Sequence, residues 1–477
     1  MFAERFRFHL ESDDFVVEPF HLVALEGREA IGELFSFTVE CQVARSDDDV
    51  EASALLGTKV CVVTTFEGLE IRRFHGIVAS VHDKLEPTAD YRSYRLRIAP
   101  QAHHLCLVHT QDIYQDTTVP DIVLAKLRLC GLAPSATEMR LGHKYAQREF
   151  VVQYRETDAA FVSRLCEHLG ISFFFEHEAK GEKIVFTDHA DGFRSLGEAR
   201  FNPAGDFRDV YLLELDAQLV PSTCIVYDYN YRMPLVPIIG SAELPGGGRG
   251  GMAEYGCHAK TPEESEHLAL VRSEEQQSKQ QVYLGASDKP SFYAGGALDL
   301  TNHARMPEAQ LLLTEVKHQA TQPPAGRSGD ASYRNTFRAV PRGFCYRPAR
   351  VTPRPRIDGL STGIVEPGPG GSADLAHIDT EGRYTIRFLF DTAPSERQKA
   401  SRPVRMAQPH AGAGYGMHFP LKPGIEVVMA FIDGDPDRPI IVGSVPNPLT
   451  PSPVVSKNLN ENAIRTASGA RIRIIDR

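Results

Sequence analysis

The chain carries no excess of positive charge, no C-x-x-C pair and no apolar run of membrane length, and each absence removes a class of protein. Its 52 Lys plus Arg stand against 62 Asp plus Glu, a formal net charge of −10. Proteins that live on DNA or RNA carry a basic footprint, and an acidic chain repels phosphate at long range. The eight cysteines, Cys41, Cys61, Cys106, Cys130, Cys166, Cys224, Cys257 and Cys345, are scattered rather than paired. They read as reduced, small hydrophobes, not as a disulfide framework or a zinc knuckle. Val427–Ile432 is among the longer apolar runs, and Glu426 and Asp433 bound it; that is strand length, far short of the roughly 20 residues that span a bilayer. Met1–Glu11 mixes charge with apolar residues and lacks the core and cleavage site of a signal peptide. The expectation is a chain made and folded in the cytoplasm, with no stable membrane insertion and no general secretory route out. There is no G-x-S-x-G elbow, and the glycine-rich run Pro245–Gly251 lacks the Gly-Lys-Ser/Thr ending of a phosphate loop.

What is present is β-rich. The 477 residues suggest about three domains. Phe35–Val43 and Tyr94–Ile98 alternate apolar and polar, while Val60–Phe66 and Phe74–His82 are rich in β-branched and aromatic residues. Such short strands between turn residues predict a barrel or a strongly curled sheet. Helices are expected over Val119–Gly131, over Thr157–Gly170 with Phe161, Leu165 and Leu169 as one stripe, and from Thr261, where Thr-Pro-Glu-Glu combines a capping box with proline at the first helical position. Further strands are expected at Ile171–Phe175, Gln310–His318 and Tyr333–Val340. Tyr346–Arg356, with three prolines, reads as a linker. Residues 357–446 then carry five short strand patterns (360–365, 384–390, 404–407, 426–432, 440–444), which fits a small barrel of OB type. Residues 447–467 read as a second linker, and 468–477 as one alternating strand that has no partner of its own. A lone strand cannot satisfy both edges or bury its face, so it calls for other copies of the chain.

Candidate chemistry is thin. His103, His104, Cys106 and His109 form the densest cluster of metal-ligand types, at a spacing that fits no zinc template. His410 and His418 flank a glycine-rich turn, with Asp433 and Asp435 following, but no nucleophile accompanies them. No catalytic residue, metal or cofactor is expected. The OB shape raises nucleic-acid binding as a different class of function, with Tyr384, Phe388 and Phe390 as stacking candidates. The nine Lys plus Arg against eleven Asp plus Glu over 356–447 argue against it.

Two stretches carry a family likeness. They are Val404–Pro420, which holds Gly412, Gly414, Tyr415 and Gly416, and Gly424–Val445, which holds Asp433, Gly434, Asp435 and Pro436. The glycines permit tight turning and Asp433-Gly434 is a hairpin signal, so the motif reads as a structural barrel with Leu421, Ile425, Val427, Phe431 and Val442 in its core. Together these stretches resemble the OB-domain signature of the VgrG family of type VI secretion spikes. Phe74–Val78, the helix over 157–170, Tyr333–Phe337 and Tyr346–Pro348 resemble that family's phage-hub-like part, and Ile464–Gly469 the start of its needle. The resemblance implies a mainly β protein with α+β parts: phage-hub-like tandem β-barrels over 1–345, an OB-fold barrel, then the start of a trimeric β-helical needle. It implies a homotrimer that docks on the tube protein Hcp, meets baseplate components, takes a PAAR-type tip and carries effectors or their adaptors. It further implies release by the secretion machine, into the medium or a target cell, without a signal peptide. A contractile phage tail hub is the close mechanical alternative. The chain departs from the pattern in lacking Trp, which relatives often place where His410 and Tyr415 stand, and in ending where the needle should begin. Along the terminal strand, Ala470, Ile472 and Ile474 share one face and are expected at the trimer axis.

Overall fold

A computed structural model of the chain describes residues 6–477 apart from 45–50, 85–89, 206–207, 368–375, 377 and 392–400. Six strands open it: β1 (Phe6–Glu11), β2 (His21–Ala30), β3 (Ser36–Ala44), β4 (Lys59–Phe66), β5 (Leu69–Lys84) and β6 (Tyr91–Ala99), in the order β1-β4-β5-β6-β3-β2. The expected alternation is realised in β3, whose Phe37, Val39, Cys41 and Val43 are buried at every second position. Gly27 on β2 lies opposite Phe37, and a Cβ there would stand 2.0 Å from the Phe37 ring. The missing side chain is what lets the ring lie flat across the strand. The outer edge of β1 is met by the Gln322 side chain, which accepts from the Phe8 N–H and donates to the carbonyls of Phe8 and Leu22. The curled sheet is thereby brought round on itself.

The chain continues through a 3-10 turn (Gln101–Cys106) to β7 (His109–Thr117), α1 (Val119–Leu129), β8 (Thr137–Arg140), β9 (Arg148–Thr157), α2 (Asp158–Leu169), β10 (Ser172–Glu178) and β11 (Gly181–Thr187). Gly131 (φ +88°) and Gly170 (φ +68°) follow the two helices in the left-handed conformation that stops a helix. Lys126 on α1 and Asp158 on α2 form a buried ion pair at 2.9 Å.

A second set of strands follows: β12 (Ser195–Arg200) and β13 (Leu212–Ala217); a small sheet of β14 (Thr223–Asp228), β15 (Ile238–Glu243) and β16 (Gly251–Tyr255); α3 (Pro262–Gln280); then β17 (Gln281–Ser287), β18 (Ala297–His303), β19 (Met306–Thr321) and β20 (Ser332–Pro341). Outside the small sheet their order is β12-β18-β19-β20-β17-β13, and the bridge Phe201↔Val210 returns the β12 end towards β13. β2 pairs with the C-terminal half of β19, so the two barrel-like sets share one twelve-stranded sheet. The start of α3 is as expected. Thr261 is its N-cap, its Oγ1 accepting from the Glu264 N–H at 3.3 Å, with Pro262 at the first position and the Glu264 carboxylate returning to the Lys260 N–H at 2.9 Å. Thr261→Ala removes that acceptor and should lower stability by about 1 kcal/mol, read as a shift in denaturant midpoint at unchanged slope.

The structure divides the chain differently from the expected boundaries. One compact unit comprises residues 1–108, 120–145 and 158–353, and the other 109–119, 146–157 and 354–477. The region expected over 1–345 therefore gives two segments away: β7 and β9 pair with each other, and Ile113, Phe150 and Val152 enter the same core as Tyr384, Phe388, Met429 and Ile441. The expected linker 346–356 is largely packed into the first unit, because its arginines find carboxylates. Arg347 pairs with Glu274, and Arg350 pairs with Glu254 and Glu275.

In the second unit the strands are β21 (Ser361–Val365), β22 (Ile386–Phe388), the short pair β23 (Ala411–Gly412) and β24 (Tyr415–Gly416), β25 (Glu426–Phe431) and β26 (Pro439–Ser444), with β22-β21-β25-β26 forming its sheet. The strand expected at 404–407 survives only as bridges from Val404 to Tyr384 and from Met406 to Ile441. Val427 and Phe431 are core as expected and Leu421 and Ile425 pack against it, but Val442 points out and Ile441 takes the buried place. Lastly, the segment expected as a linker over 447–467 contains β27 (Glu461–Arg465), which pairs antiparallel with β28 (Arg471–Ile475) around a turn at Gly469. The terminal strand is half of a hairpin, not alone.

Candidate functional site

The glycine motif builds an exposed hairpin. Gly414 has φ +78° and Gly416 φ +149°, and a Cβ on Gly416 would stand 2.5 Å from the His410 carbonyl oxygen, so neither turn position accepts a side chain without strain. A Cβ on Gly412 would meet the Tyr415 ring at 2.3 Å. Tyr415, Met417 and Phe419, two residues apart, are 65%, 47% and 53% exposed, and His418, also exposed, meets the hydroxyl of buried Tyr384 at 2.7 Å. That contact occupies His418 structurally rather than as an acid–base partner.

The acidic turn is likewise structural. Asp433 (φ +56°) and Gly434 (φ +73°) take the left-handed conformation, and the Gly434 carbonyl accepts from the Ile357 N–H at 2.8 Å. Asp435 accepts from the Asp437 N–H at 3.0 Å through its side chain and from Arg438 through its backbone. Pro436 sits between Asp435 and these two donors. The Asp437 carboxylate receives the Val152 N–H at 2.6 Å, tying β9 to this turn. The stacking candidates are not presented: Tyr384 and Phe388 are buried, and Phe390 packs on Phe388 and Tyr154.

His103 and His104 lie in the 3-10 turn, where the His103 ring stands 3.3 Å from the Arg97 guanidinium. A fixed cation at that nitrogen is a poor neighbour for a metal ion. A cleft of about 900 Å³ is lined by Cys61, His75, Arg73, Lys59, Asp14, Glu178 and Glu182 among others. Its Cys61 Sγ lies 3.9 Å from His75 Nε2, yet burial pushes the thiol up to about 12, burial also lowers His75, and His75 Nε2 is engaged by the Glu178 carbonyl at 2.9 Å. A thiol held protonated is no nucleophile. Burial lifts the Glu182 carboxyl to about 8, against a small lowering by the Gln101 N–H. Its folded value lies above its unfolded one, so its contribution to stability is complete below about 4.5 and fades as pH rises towards 8. Glu182→Gln, which cannot ionise, should therefore gain on the wild type between pH 5 and pH 8 in thermal melts; parallel curves would contradict this.

Sequence reasoning missed a buried charge cluster. Glu29 on β2 receives Arg72 of β5 in two contacts at 2.7 and 2.9 Å, and His318 of β19 at 2.9 Å, with His177 of β10 at 3.7 Å. His318 Nδ1 in turn meets the Tyr333 hydroxyl at 2.6 Å; burial favours the neutral ring, which donates to Glu29 through Nε2 and accepts from Tyr333 through Nδ1. Arg72 also donates to the Phe292 and Pro290 carbonyls and stacks on Phe74 at 4.2 Å. Burial pushes the Glu29 carboxyl up, and Arg72 with the two histidines more than reverses this, leaving it well below the usual range; burial holds both histidines low. No short motif marks these residues. The faint signal is charge at strand positions whose parity is otherwise apolar.

At the terminal hairpin, pairing sets the faces. Ile472 lies opposite Ile464 and Ile474 opposite Asn462, and Ile464, Ile472 and Ile474 are 46%, 61% and 60% exposed. Arg471 and Arg473 take the other face, where Arg473 pairs with Glu461 at 3.0 Å. Ala470 flanks the hairpin at the Thr466 turn.

Comparison with known proteins places this architecture. The family described as phage tail baseplate hub (GPD) matches residues 28–324, and the type VI secretion system/phage-baseplate injector OB domain matches residues 375–445. The type VI secretion system spike protein VgrG5 of Pseudomonas aeruginosa is 31% identical over 446 residues, 89% of this chain and 55% of its own length. The actin cross-linking toxin VgrG1 of Vibrio cholerae is 28% identical over 91% of this chain and 40% of its own. This chain thus spans about half the length of the curated relatives it matches. Among solved structures, an E. coli type VI secretion component described as similar to the T4 tail proteins gp27 and gp5 superposes with a TM-score of 0.68 at 24% identity, over 91% of this chain and 99% of that one. A Francisella VgrG in complex with PdpA gives 0.63 at 9% identity, over 97% of this chain and 81% of that one. These likenesses support the fold.

Proposed function

The chain belongs to the phage tail baseplate hub family, and on that premise we propose that it is a non-enzymatic, homotrimeric spike subunit of a type VI secretion machine. In this reading the hub region caps the Hcp tube beside the baseplate, and the OB barrel carries the needle. A PAAR-type tip and effectors or their adaptors ride on that needle, which punctures the target envelope. Before firing the protein waits in the cytoplasm; firing delivers it to the medium or the target cell. Among the described residues no helix is long and apolar enough to cross a membrane.

The observation that carries the reading is the exposed isoleucine face of the β27–β28 hairpin. A two-stranded hairpin is marginal alone in water, and an exposed apolar face on it calls for neighbours. Three copies around an axis would give each face two partners. Light scattering at micromolar concentration should return a trimer; a stable, folded monomer would count against the assembly. Purified protein should clear no cell-wall suspension and cleave no ester or peptide. Activity abolished by a single substitution in this chain would overturn the non-enzyme reading. Sheath, tube and secretion-type ATPase genes beside this one would separate the spike from a phage tail hub, for which capsid and terminase genes are expected.

A further inference from the structure

The cleft beside β5 holds one carboxyl group that its surroundings leave unbalanced. Most of its charges settle in pairs. Glu11 takes Arg73, and Glu178 takes Lys183 at 2.8 Å. Asp14, on the exposed turn after β1, accepts the Lys59 N–H at 2.7 Å. Glu182, on β11 just past Gly181, has no base among the described residues. Its Oε1 accepts the Gln101 N–H, and its Oε2 is buried without a hydrogen-bond partner. His177 lies opposite it on β10, and burial keeps both His177 and the nearby His75 uncharged. Cys61 is held as a thiol. A buried polar atom without a partner is uncommon in a folded protein and calls for an account.

The rim shows the reverse imbalance. Lys59 and Lys180 line the same cleft and are exposed, and among the described residues neither ammonium has an ion pair or a hydrogen bond. The cleft thus has an unmatched acid within and unmatched bases at its edge. Its volume of about 900 Å³ suits a body of many atoms, far more than a bare cation fills.

We propose that this cleft receives a polypeptide segment that presents an arginine or lysine side chain to Glu182 and its own carbonyls or carboxylates to Lys59 and Lys180. A carboxylate taken out of water is stabilised chiefly by an opposite charge at contact. Burial lifts Glu182 to about 8, with only the Gln101 N–H working against it, so no cation of this chain does that task. An entering guanidinium or ammonium supplies it. The last torsion of a glutamate side chain is broad, so the carboxyl can turn to meet that group at little cost. Binding then expels a proton: at pH 7 the free site is a neutral carboxyl, and the occupied site is a carboxylate against a cation. Arginine, with its planar fork of donors, suits a carboxylate better than lysine does. The linkage also fixes the sign of the pH dependence. A ligand of the ionised form gains affinity as pH rises towards about 8 and little above it, which amounts to roughly 25-fold between pH 6.5 and pH 8.5.

The test uses the full chain with N-acetylarginine amide as probe, in isothermal titration calorimetry at pH 6.5, 7.5 and 8.5. Affinity should rise roughly 25-fold across that range, with about one proton released per probe bound at pH 6.5. N-acetylcitrulline amide, of the same shape without the charge, should not bind. Glu182→Gln keeps an acceptor for the Gln101 N–H and should melt no lower than the wild type at pH 7, so a loss of binding in it is not a loss of fold. It should bind the probe at least about tenfold more weakly at pH 8.5 and lose the pH dependence. Glu178→Gln, whose carboxylate is already matched by Lys183, should keep the wild-type pH dependence. Methylguanidinium should bind at least about tenfold more weakly than the blocked arginine; equal affinity would show that a free cation suffices and overturn the polypeptide assignment. A wild type that binds the probe at none of the three pH values, or a Glu182→Gln chain with unchanged affinity and pH dependence, overturns the seat itself.

Discussion

Arg72→Met should lower the stability of the first unit by about 3–5 kcal/mol, the usual consequence of leaving one member of a buried ion pair without its partner. For a unit of this size that corresponds to roughly 4–7 °C in melting temperature. The reason is geometric. Glu29 is buried and hydrogen-bonded as a carboxylate to Arg72 and His318, and the same guanidinium also satisfies two backbone carbonyls. Removing it strands a charge between β2 and β5 and orphans the carbonyls of Pro290 and Phe292. Glu29→Gln alone should be nearly as damaging. The double variant should be less damaging than the sum of the two, since no uncompensated charge remains. Full additivity in scanning calorimetry, or an unchanged melt for Arg72→Met, would mean that Glu29 is not held as an anion.

The same cluster gives a pH dependence with a definite sign. Burial depresses His177 and His318 below 6.5, and Glu29 ends below 4.5. All three folded values lie below the unfolded ones, so the native state takes up fewer protons. Their contribution is complete above about 6.5 and is lost on acidification, the histidines first and Glu29 below about 4.5. Glu182 acts in the opposite sense over this range in both chains, so the test is the difference: between pH 7 and pH 5 the wild type should lose melting temperature relative to His177→Gln.

The second large effect concerns the terminal hairpin. Under the proposed assembly, Ile472→Asp should dissociate the trimer. Each copy would forfeit roughly 2 kcal/mol of apolar burial, about 6 kcal/mol over three copies or roughly four powers of ten in the assembly constant, and the three carboxylates gathered near the axis would add to that loss. The damage should be greater at neutral pH than near pH 4, where the carboxyls take protons. Because Ile464 lies directly opposite Ile472, Ile464→Asp should do the same, which the terminal strand by itself did not suggest. Arg471→Asp is the contrast. Arg471 lies opposite Arg465 on the polar face, so an acid there meets a base, and the change should stay within about 0.5 kcal/mol. Sedimentation velocity separates these outcomes: equal trimer stability for the Ile472 and Arg471 variants would show that the hairpin does not face the axis.

The sequence by itself determined what local chemistry determines. Alternation placed the buried faces of β3 and β6, Thr261 with Pro262 and Glu264 set the start of α3, and Gly131 and Gly170 stopped two helices. Turn residues placed the exposed hairpin at Gly412–Gly416 and the bend at Asp433–Pro436. All of these act within a few residues, so their pattern is visible in a linear string. The tertiary structure alone decided what depends on partners far apart in the chain. Residues 109–119 and 146–157 leave the hub region because Ile113, Phe150 and Val152 are apolar on a face that the OB core covers, and nothing local says which core. Arg347 and Arg350 turn an expected linker into packed structure because Glu254, Glu274 and Glu275 lie on β16 and α3. Glu29, Arg72, His177 and His318 become one cluster only when four strands from distant parts of the chain converge.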